Sequence, residues 1–335
     1  MKSALALLAV LPLVLQDQDL PKSTMKAVRM HAYGKPEVLV IEDVPLPVPK
    51  AGEVLVRVHA AGVNPIDLKT RAGLLGKDKK RLPLVLGCEI AGTVSRLGPD
   101  VKSLAFGDAV YGLLPLERMG GYAEFVALPA EDLVKKPAAL DFEKAAAVPL
   151  PALTAYQALV GLADVQPGQT VLVHARADLV AFYAIQFAKL KGAKVIVSAT
   201  SESALGHLKT IYFPDESFID RDTQEFAALV KDADVVLDSL GGEMQSRSYA
   251  CLKKGGFLVS LVQAPDPGRL KALGVRGALV QPKPDPKALG EITQWIEAGK
   301  LLLPPCTGIP LRFLQATHKE EGFLPLAKSV LVFAP

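Results

Sequence analysis

The fold of this chain is decided by the stretch Val171-Leu-Val-His-Ala-Arg-Ala-Asp-Leu-Val-Ala-Phe-Tyr-Ala-Ile-Gln-Phe-Ala-Lys-Leu-Lys-Gly-Ala-Lys-Val-Ile-Val197. It opens with an apolar run and a short turn, and apolar residues at helical spacing then lead to Gly192, which is typical of a helix end. A second apolar run completes a βαβ unit. The pyrophosphate of a dinucleotide would rest on the N-terminus of the helix in such a unit.

Composition places the chain among globular proteins of two domains. It has 335 residues, of which 50% are hydrophobic and 6% aromatic, and typical domain sizes then favour two cores. Its 38 Lys and Arg nearly balance 35 Asp and Glu, and the basic residues are scattered, so nothing indicates nucleic-acid binding. Cys88, Cys251 and Cys306 have no paired spacing, which predicts reduced, mostly buried thiols.

The N-terminus has the form of a signal peptide. A basic start over residues 1–3 precedes an apolar run over residues 4–15, which is too short for a stable membrane span. The alternative is that Met25 is the true start and that residues 1–24 are an extension. The first interpretation predicts export to the periplasm or the extracellular space, and the second predicts a cytoplasmic protein.

Two patterns of secondary structure follow. Short β-rich runs bounded by turn residues predict a partly open β-barrel, and they cover residues 38–41, 53–59, 91–97, 108–111 and 122–128. Later strands alternate with helices, which predicts a doubly wound parallel sheet in an α/β fold. The predicted strands there are 217–220, 233–240, 255–262 and 277–280, and the predicted helices are 223–231, 244–253 and 286–298.

Several of these segments resemble one family. Residues 171–174 and 184–195 resemble the zinc-independent, quinone oxidoreductase-like branch of the medium-chain dehydrogenase/reductase (zinc-type alcohol dehydrogenase-like) family. Residues 62–69, 86–92 and 120–124 resemble its GroES-like domain. The resemblance implies a GroES-like, partly open β-barrel domain over 25–148 and 300–335, with a Rossmann-type domain over 149–299. It also implies a homo-oligomer.

The resemblance implies a protein without a metal. Zinc-dependent relatives carry a cysteine where this chain has Asn64 and a histidine where it has Cys88. A catalytic zinc needs three protein ligands, and an amide is a poor one. The cysteine-rich lobe that binds structural zinc is also missing. Cys88 is therefore expected to be a packed thiol rather than a ligand.

The resemblance makes Asn64 and Lys69 the candidate catalytic residues. They match the cleft-facing loop of quinone and enone reductases, where an amide and an ammonium would bind a carbonyl oxygen as hydride reaches the conjugated carbon. The small-molecule substrate would then be a quinone or an α,β-unsaturated carbonyl. The alternative is that Asn64 caps a turn before Pro65 and that Lys69 and Arg71 form a solvated helical face.

The turn that should hold the cofactor departs from the family. Relatives carry a run of the type Gly-Ala-Ala-Gly-Gly-Val-Gly where this chain has Ala175-Arg-Ala-Asp-Leu-Val-Ala181. The glycines allow a tight turn, close approach of the backbone to the pyrophosphate, and close packing of helix on strand. The residues that replace them are Ala175, Asp178, Leu179 and Ala181.

Two of these replacements predict impaired cofactor binding. The Asp178 carboxylate at about 4 Å would repel a phosphate charge by roughly 4 kcal/mol at an effective dielectric of about 20. Leu179 would add about 1 kcal/mol if the turn requires a positive φ. Arg176 would either offset this repulsion or pair with Asp178 and fill the phosphate site. A rearranged loop that still binds the cofactor is the alternative.

NADPH is the expected cofactor if one binds. The strand that reaches Val197 ends in Ser198-Ala-Thr-Ser201 with no acidic residue at its tip, so nothing would select NAD through its ribose hydroxyls. Basic residues for a 2′-phosphate are not obvious either, because Glu202 comes first and His207 and Lys209 come late. The candidate contacts outside the turn are Thr154, Ser198, Thr200, Ser201 and Ser260, and those within it are Ala175, Arg176, Asp178, Leu179, Val180 and Ala181.

The sequence thus supports two hypotheses. One is an NADPH-dependent, zinc-independent oxidoreductase acting on quinones or enones with impaired cofactor binding. The other is a cofactor-free pseudoenzyme of the same fold that binds a small ligand or a protein partner.

Overall fold

The computed structural model describes residues 23–176, 178–200, 208–319 and 326–333. Most of the signal-peptide segment, residues 1–22, lies outside these ranges, as do the candidate cofactor contact Ser201 and the residues Glu202 and His207. Of the helices within the ranges, none is long and apolar enough to cross a bilayer.

The chain begins with strands and later alternates strands with helices. The strands are β1 (Thr24–Met30), β2 (Leu39–Pro45), β3 (Glu53–Gly62), β4 (Leu84–Val85), β5 (Glu89–Leu97), β6 (Ala109–Leu113), β7 (Phe125–Pro129), β8 (Val134–Lys135), β9 (Thr170–His174), β10 (Lys194–Ala199), β11 (Ser217–Asp220), β12 (Ala233–Asp238), β13 (Leu252–Ser260), β14 (Arg276–Leu279), β15 (Cys306–Pro310) and β16 (Lys328–Val332). The α-helices are α1 (Pro65–Ala72), α2 (Phe142–Ala146), α3 (Pro149–Tyr156), α4 (Leu179–Leu190), α5 (Phe226–Leu229), α6 (Gly242–Ser248), α7 (Pro267–Leu273), α8 (Pro286–Glu297) and α9 (Leu314–Thr317).

The unit β9–α4–β10 lies at the centre of a six-stranded parallel sheet. The strand order is β11-β10-β9-β12-β13-β14, and every neighbouring pair is parallel. The order reverses between β9 and β12, so the two halves of the sheet run outward from this point. In such doubly wound sheets a ligand binds beyond the carboxyl ends of the strands at the reversal. The predicted α/β fold with a Rossmann-type sheet is confirmed.

The other half of the molecule is the GroES-like barrel. A seven-stranded sheet contains β15, β16, β3, β5, β6 and β8, with β7 paired to β3, and a small sheet contains β2, β1 and β4. The C-terminal strand β16 pairs antiparallel with β3, with Val330 opposite Gly62. The Val63 amide also donates to the Ser329 carbonyl at 2.9 Å. The chain therefore returns to its first half, as predicted, and this pairing brings Lys328 to the loop that carries Asn64.

Helix boundaries differ from the sequence prediction in three places. The helix predicted over 223–231 is only the short α5, and the helix predicted over 244–253 is α6, which ends at Ser248. α7 was not predicted. α7 does carry an N-terminal signal, because Asp266 accepts a hydrogen bond from the Arg269 amide at 2.7 Å and Pro267 occupies the first turn. The helix predicted over 286–298 corresponds closely to α8.

Candidate functional site

A cleft of about 960 Å³ lies between the barrel and the parallel sheet. This volume is at the upper end of the range for small-molecule and cofactor sites, about 300–1,000 Å³. Both candidate catalytic residues, Asn64 and Lys69, line its barrel side. The candidate cofactor residues that line the other side are Thr154, Arg176, Asp178, Leu179, Val180 and Thr200.

Four other candidate cofactor residues do not line the cleft. They are fully buried under its floor and are Ala175, Ala181, Ser198 and Ser260. Ser198 hydrogen-bonds His174, with 2.5 Å between Oγ and Nδ1, and Ser260 donates to the Asp238 carboxylate at 2.9 Å. These two serines support the ends of their strands, and the structure does not bring them to the cavity surface.

The amide of Asn64 belongs to a buried polar cluster. Its Nδ2 donates to Glu89 Oε1 at 2.8 Å, and its Oδ1 accepts a hydrogen bond from the Lys328 ammonium. Its backbone N–H donates to Asp67 Oδ2 at 2.9 Å, at the start of α1. Asn64 therefore caps a helix and faces the cleft at once, so the two interpretations of this residue are compatible.

Glu89 and Lys328 form the ion pair of this cluster, and sequence reasoning missed it. Their charged atoms lie 2.5 Å apart, and their side chains are 0% and 4% exposed. The second oxygen of Glu89 accepts the Leu150 amide at 2.6 Å, at the start of α3. Gly62 makes room for this carboxylate, because a Cβ there would lie 2.1 Å from Glu89 Oε1. The Lys328 ammonium uses two of its three hydrogens in these contacts and lines the cleft.

The alternative prediction, that Lys69 and Arg71 form a solvated face of α1, agrees with the structure for Lys69 only. Lys69 is exposed and lines the cleft. Arg71 is 6% exposed, and its guanidinium donates to the Gly34 carbonyl at 2.8 Å and to the His318 carbonyl at 3.3 Å. The prediction for Arg71 is therefore wrong, because a long side chain at the barrel side of α1 reaches backbone acceptors on two other segments.

Burial shifts the titration of the groups behind Asn64. It raises the pKa of Asp67 to about 7, against the opposing effect of hydrogen bonds from the Asn64 and Gly87 amides. Burial also raises the pKa of the Cys88 thiol, which agrees with a packed thiol. Within the described ranges, no group of three or more His, Cys, Asp or Glu side chains is placed to hold a metal ion.

The replaced turn forms a capped start of α4. Asp178 is the N-cap, and its carboxylate accepts the Ala181 amide at 2.8 Å and the Arg176 amide at 3.2 Å. Aspartate directly before an apolar periodic run is the sequence signal for this cap. The described turn residues have no positive φ, so the conformational cost expected at Leu179 does not arise. No ion pair joins Arg176 to Asp178 among these residues.

This cap changes what the N-terminus of α4 can bind. A pyrophosphate in the usual position would compete with the Asp178 carboxylate for the Ala181 amide and would meet its negative charge. The Ala181 and Arg176 amides are therefore already engaged by Asp178, whereas a glycine-rich turn would leave its amides open to a phosphate.

Arg221 supplies a cation beside this turn, and sequence reasoning missed it as well. It follows β11, and its Nη2 donates to the Ala175 carbonyl at 3.0 Å. Its Nη1 donates to the carbonyl of Ser198 and, at 3.2 Å, to the Ser198 hydroxyl. The side chain lines the cleft, and burial lowers its pKa. Only the neighbouring positions of β9, β10 and β11 in the sheet reveal its place.

Comparison with known proteins gives consistent matches along the chain. The family model of the alcohol dehydrogenase GroES-like domain matches residues 50–138, and that of the zinc-binding dehydrogenases matches residues 215–320. The quinone oxidoreductase of Homo sapiens is 32% identical over 242 residues, which are 70% of this chain and 72% of the human protein.

Solved structures agree over a larger part of the chain. The quinone oxidoreductase from Coxiella burnetii has a TM-score of 0.83 and 31% identity, covering 93% of this chain and 100% of that one. CurK enoyl reductase has a TM-score of 0.81 and 27% identity, with the same coverage of 93% and 100%.

Proposed function

The chain belongs to the quinone oxidoreductase-like branch of the medium-chain dehydrogenase/reductase family, and from this premise we propose that it is a zinc-independent oxidoreductase. Its substrate is a quinone or an α,β-unsaturated carbonyl bound in the cleft, and its cofactor is NADPH, bound more weakly than by a glycine-rich turn. The relatives named as quinone oxidoreductases and enoyl reductase support this class of substrate.

The observation that carries the proposal is the buried cluster of Lys328, Asn64 and Glu89. The Lys328 ammonium lines the cleft and has one N–H without an acceptor in the contacts described above. A carbonyl oxygen placed against it would receive a charge-assisted hydrogen bond. That bond strengthens as negative charge develops on the oxygen, which is the condition for catalysis by a preorganised donor.

Each partner of Lys328 has a separate task. Glu89 balances the ammonium charge and is itself fixed by the Leu150 amide. Asn64 holds the ammonium through its Oδ1, while its Nδ2 is engaged by Glu89. Asn64 therefore orients Lys328, and we assign the direct contact with the carbonyl to Lys328. Lys69 stands exposed on the same side of the cleft, and we assign it a supporting contact with the substrate.

A bound nicotinamide would supply the hydride. Thr154 would face it, since it is the polar side chain among the α3 residues that line the cleft. Its hydroxyl hydrogen is donated to the Leu150 carbonyl at 2.7 Å, so only its oxygen lone pairs remain. Thr154 can accept a hydrogen bond from an amide group but cannot donate one, which suits the carboxamide NH₂ of a nicotinamide. Val180 and Thr200 also line the cleft.

A second candidate function is a cofactor-free binding protein. It is favoured by one observation, the Asp178 carboxylate on the Ala181 amide, because this contact satisfies internally the group that would otherwise bind phosphate. In this case the cleft holds a carbonyl ligand through Lys328 without reducing it.

One titration distinguishes the two functions. The protein expressed from Met25 is titrated with NADPH and NADH while nicotinamide fluorescence and melting temperature are followed, and NADPH consumption is then measured with and without duroquinone. Weak NADPH binding and consumption that depends on the quinone support the oxidoreductase. Absence of binding at millimolar NADPH refutes it, and quinone binding that persists under that condition supports the cofactor-free protein.

A further inference from the structure

Arg221 is held rigidly at the point where the central strands end. Its Nη2 donates to the carbonyl of Ala175, directly after β9. Its Nη1 donates to the carbonyl of Ser198, near the end of β10. Its own backbone N–H donates to the Ala199 carbonyl at 2.9 Å. An arginine whose backbone and guanidinium are both held by hydrogen bonds loses little further conformational freedom when it binds a ligand.

The hydrogen bonds that hold the Arg221 side chain go to neutral acceptors. In the part of the chain that the structure describes, these acceptors are two carbonyl oxygens and one hydroxyl. The neighbouring carboxylates of Asp220 and Asp222 act on the guanidinium electrostatically. These three hydrogen bonds leave Nε and one hydrogen of Nη2. Together they form the edge of a guanidinium that binds phosphate or carboxylate in bidentate fashion.

Arg176 adds a second cation to the same wall. It directly follows Ala175, whose carbonyl Arg221 binds, and its exposed side chain lines the cleft. The one carboxylate of the turn, that of Asp178, is engaged by two backbone amides. Two guanidinium groups and one carboxylate therefore line this end of the cleft.

We propose that Arg221, assisted by Arg176, is a binding site for nucleotide phosphate groups that replaces the amides of the lost glycine-rich turn. The inference rests on the proposed function in one respect, because the dinucleotide cofactor would be the source of those phosphates. A free nucleotide presents the same chemistry. Arg221 contacts Ala175 directly before the turn and Ala199 directly before Thr200, so the phosphates at the adenosine end of a dinucleotide are the groups that it would bind.

The test uses adenosine 2′,5′-bisphosphate, with uncharged adenosine as the reference, and measures binding by calorimetry and by melting temperature. The bisphosphate should bind and raise the melting temperature, and adenosine should do neither. Arg221→Met should weaken bisphosphate binding by about 10- to 100-fold, the value of a charged hydrogen-bonding group. Arg221→Lys should recover part of the loss, because it keeps the charge but not the bidentate edge.

Arg176→Met guards against a folding defect in the Arg221 variants, because the Arg176 side chain is exposed and makes no hydrogen bond or ion pair with the described residues. It should weaken bisphosphate binding by about 3- to 10-fold. Arg269→Met is the matched control, since Arg269 is exposed on α7 away from the cleft, and it should change nothing. Equal binding by the wild type, Arg221→Met and Arg176→Met would overturn the inference, as would no bisphosphate binding by the wild type.

These outcomes are separable from those of the proposed function. If the bisphosphate binds through Arg221 but NADPH is not consumed with any quinone, the phosphate site stands and the reductase proposal fails. If NADPH binds and is consumed equally by the wild type and Arg221→Met, the reductase stands and the phosphate site fails.

Discussion

Replacing Lys328 by methionine should destabilise the protein severely, because it leaves the Glu89 carboxylate without its counter-charge. The Glu89 side chain is 0% exposed, and Lys328 is its ion-pair partner at 2.5 Å. Removal of one partner of a buried ion pair costs about 3–5 kcal/mol. Two N–H donors remain on Glu89, from Asn64 and Leu150. We therefore expect a loss at the lower end, about 3 kcal/mol in free energy of unfolding.

The double variant Lys328→Met with Glu89→Gln is the decisive comparison. Neither new side chain is charged, and each has about the volume of the side chain that it replaces. The glutamine at position 89 still offers a carbonyl oxygen to the Leu150 amide. Replacement of a whole buried pair by neutral residues is often close to neutral, so the double variant should lie within about 1 kcal/mol of the wild type. The coupling between the two positions should then be about 2 kcal/mol or more.

Urea unfolding at pH 7, followed by far-ultraviolet circular dichroism and by the fluorescence of the one tryptophan, Trp295, measures these differences. Both variants should unfold with the wild-type dependence on urea, and only the midpoint should move. The reasoning is refuted if Lys328→Met costs less than about 1 kcal/mol, or if adding Glu89→Gln makes it less stable instead of rescuing it. Either result would mean that Glu89 does not rely on the ammonium.

Four further substitutions test the surroundings of single residues. Asp178→Asn keeps the cap of α4 and removes its charge, so NADPH affinity should rise about tenfold at low salt; fluorescence titration measures it, and an unchanged affinity contradicts the account of the turn. Gly62→Ala should cost about 1–3 kcal/mol by overpacking, because its Cβ would lie 2.1 Å from Glu89 Oε1. Gly290→Ala, with open space around it inside α8, should stabilise by up to about 1 kcal/mol. Burial lowers the pKa of His174 to about 3. Between about pH 6.5 and 3 this histidine is therefore protonated in the unfolded chain but not in the folded one. The free energy of unfolding should fall by about 1 kcal/mol for each pH unit over this range. His174→Gln should remove this loss, which unfolding at pH 7 and pH 5 measures.

The elements of the fold were predictable wherever a local pattern defines them. The run before the turn corresponds to β9, the helical pattern to α4, and the second run to β10. Hydrophobic periodicity is a property of neighbouring residues, so it survives in the sequence without knowledge of the fold. Where the pattern is weak the prediction was inexact, as for the short α5, or absent, as for α7.

The candidate site was predictable only in part. Asn64 and Lys69 come from the resemblance, and the structure places both at the cleft. The partners of Asn64 were not visible, because Glu89 and Lys328 lie far away in the chain and follow no local period. They meet only when β16 pairs with β3.

The sequence by itself determined that the chain is a two-part α/β protein and that its phosphate-binding glycines are gone, because composition, periodicity and residue identity are local. The Asp178 cap on the Ala181 amide is a local contact too, because aspartate directly before an apolar run signals it. Tertiary structure alone decided the cation beside this turn, the Arg221 guanidinium across the ends of β9 and β10. A charged side chain takes the partner that folding brings within reach, and burial sets the strength of that contact. Both depend on strand order and packing, which residues along the chain do not specify one at a time.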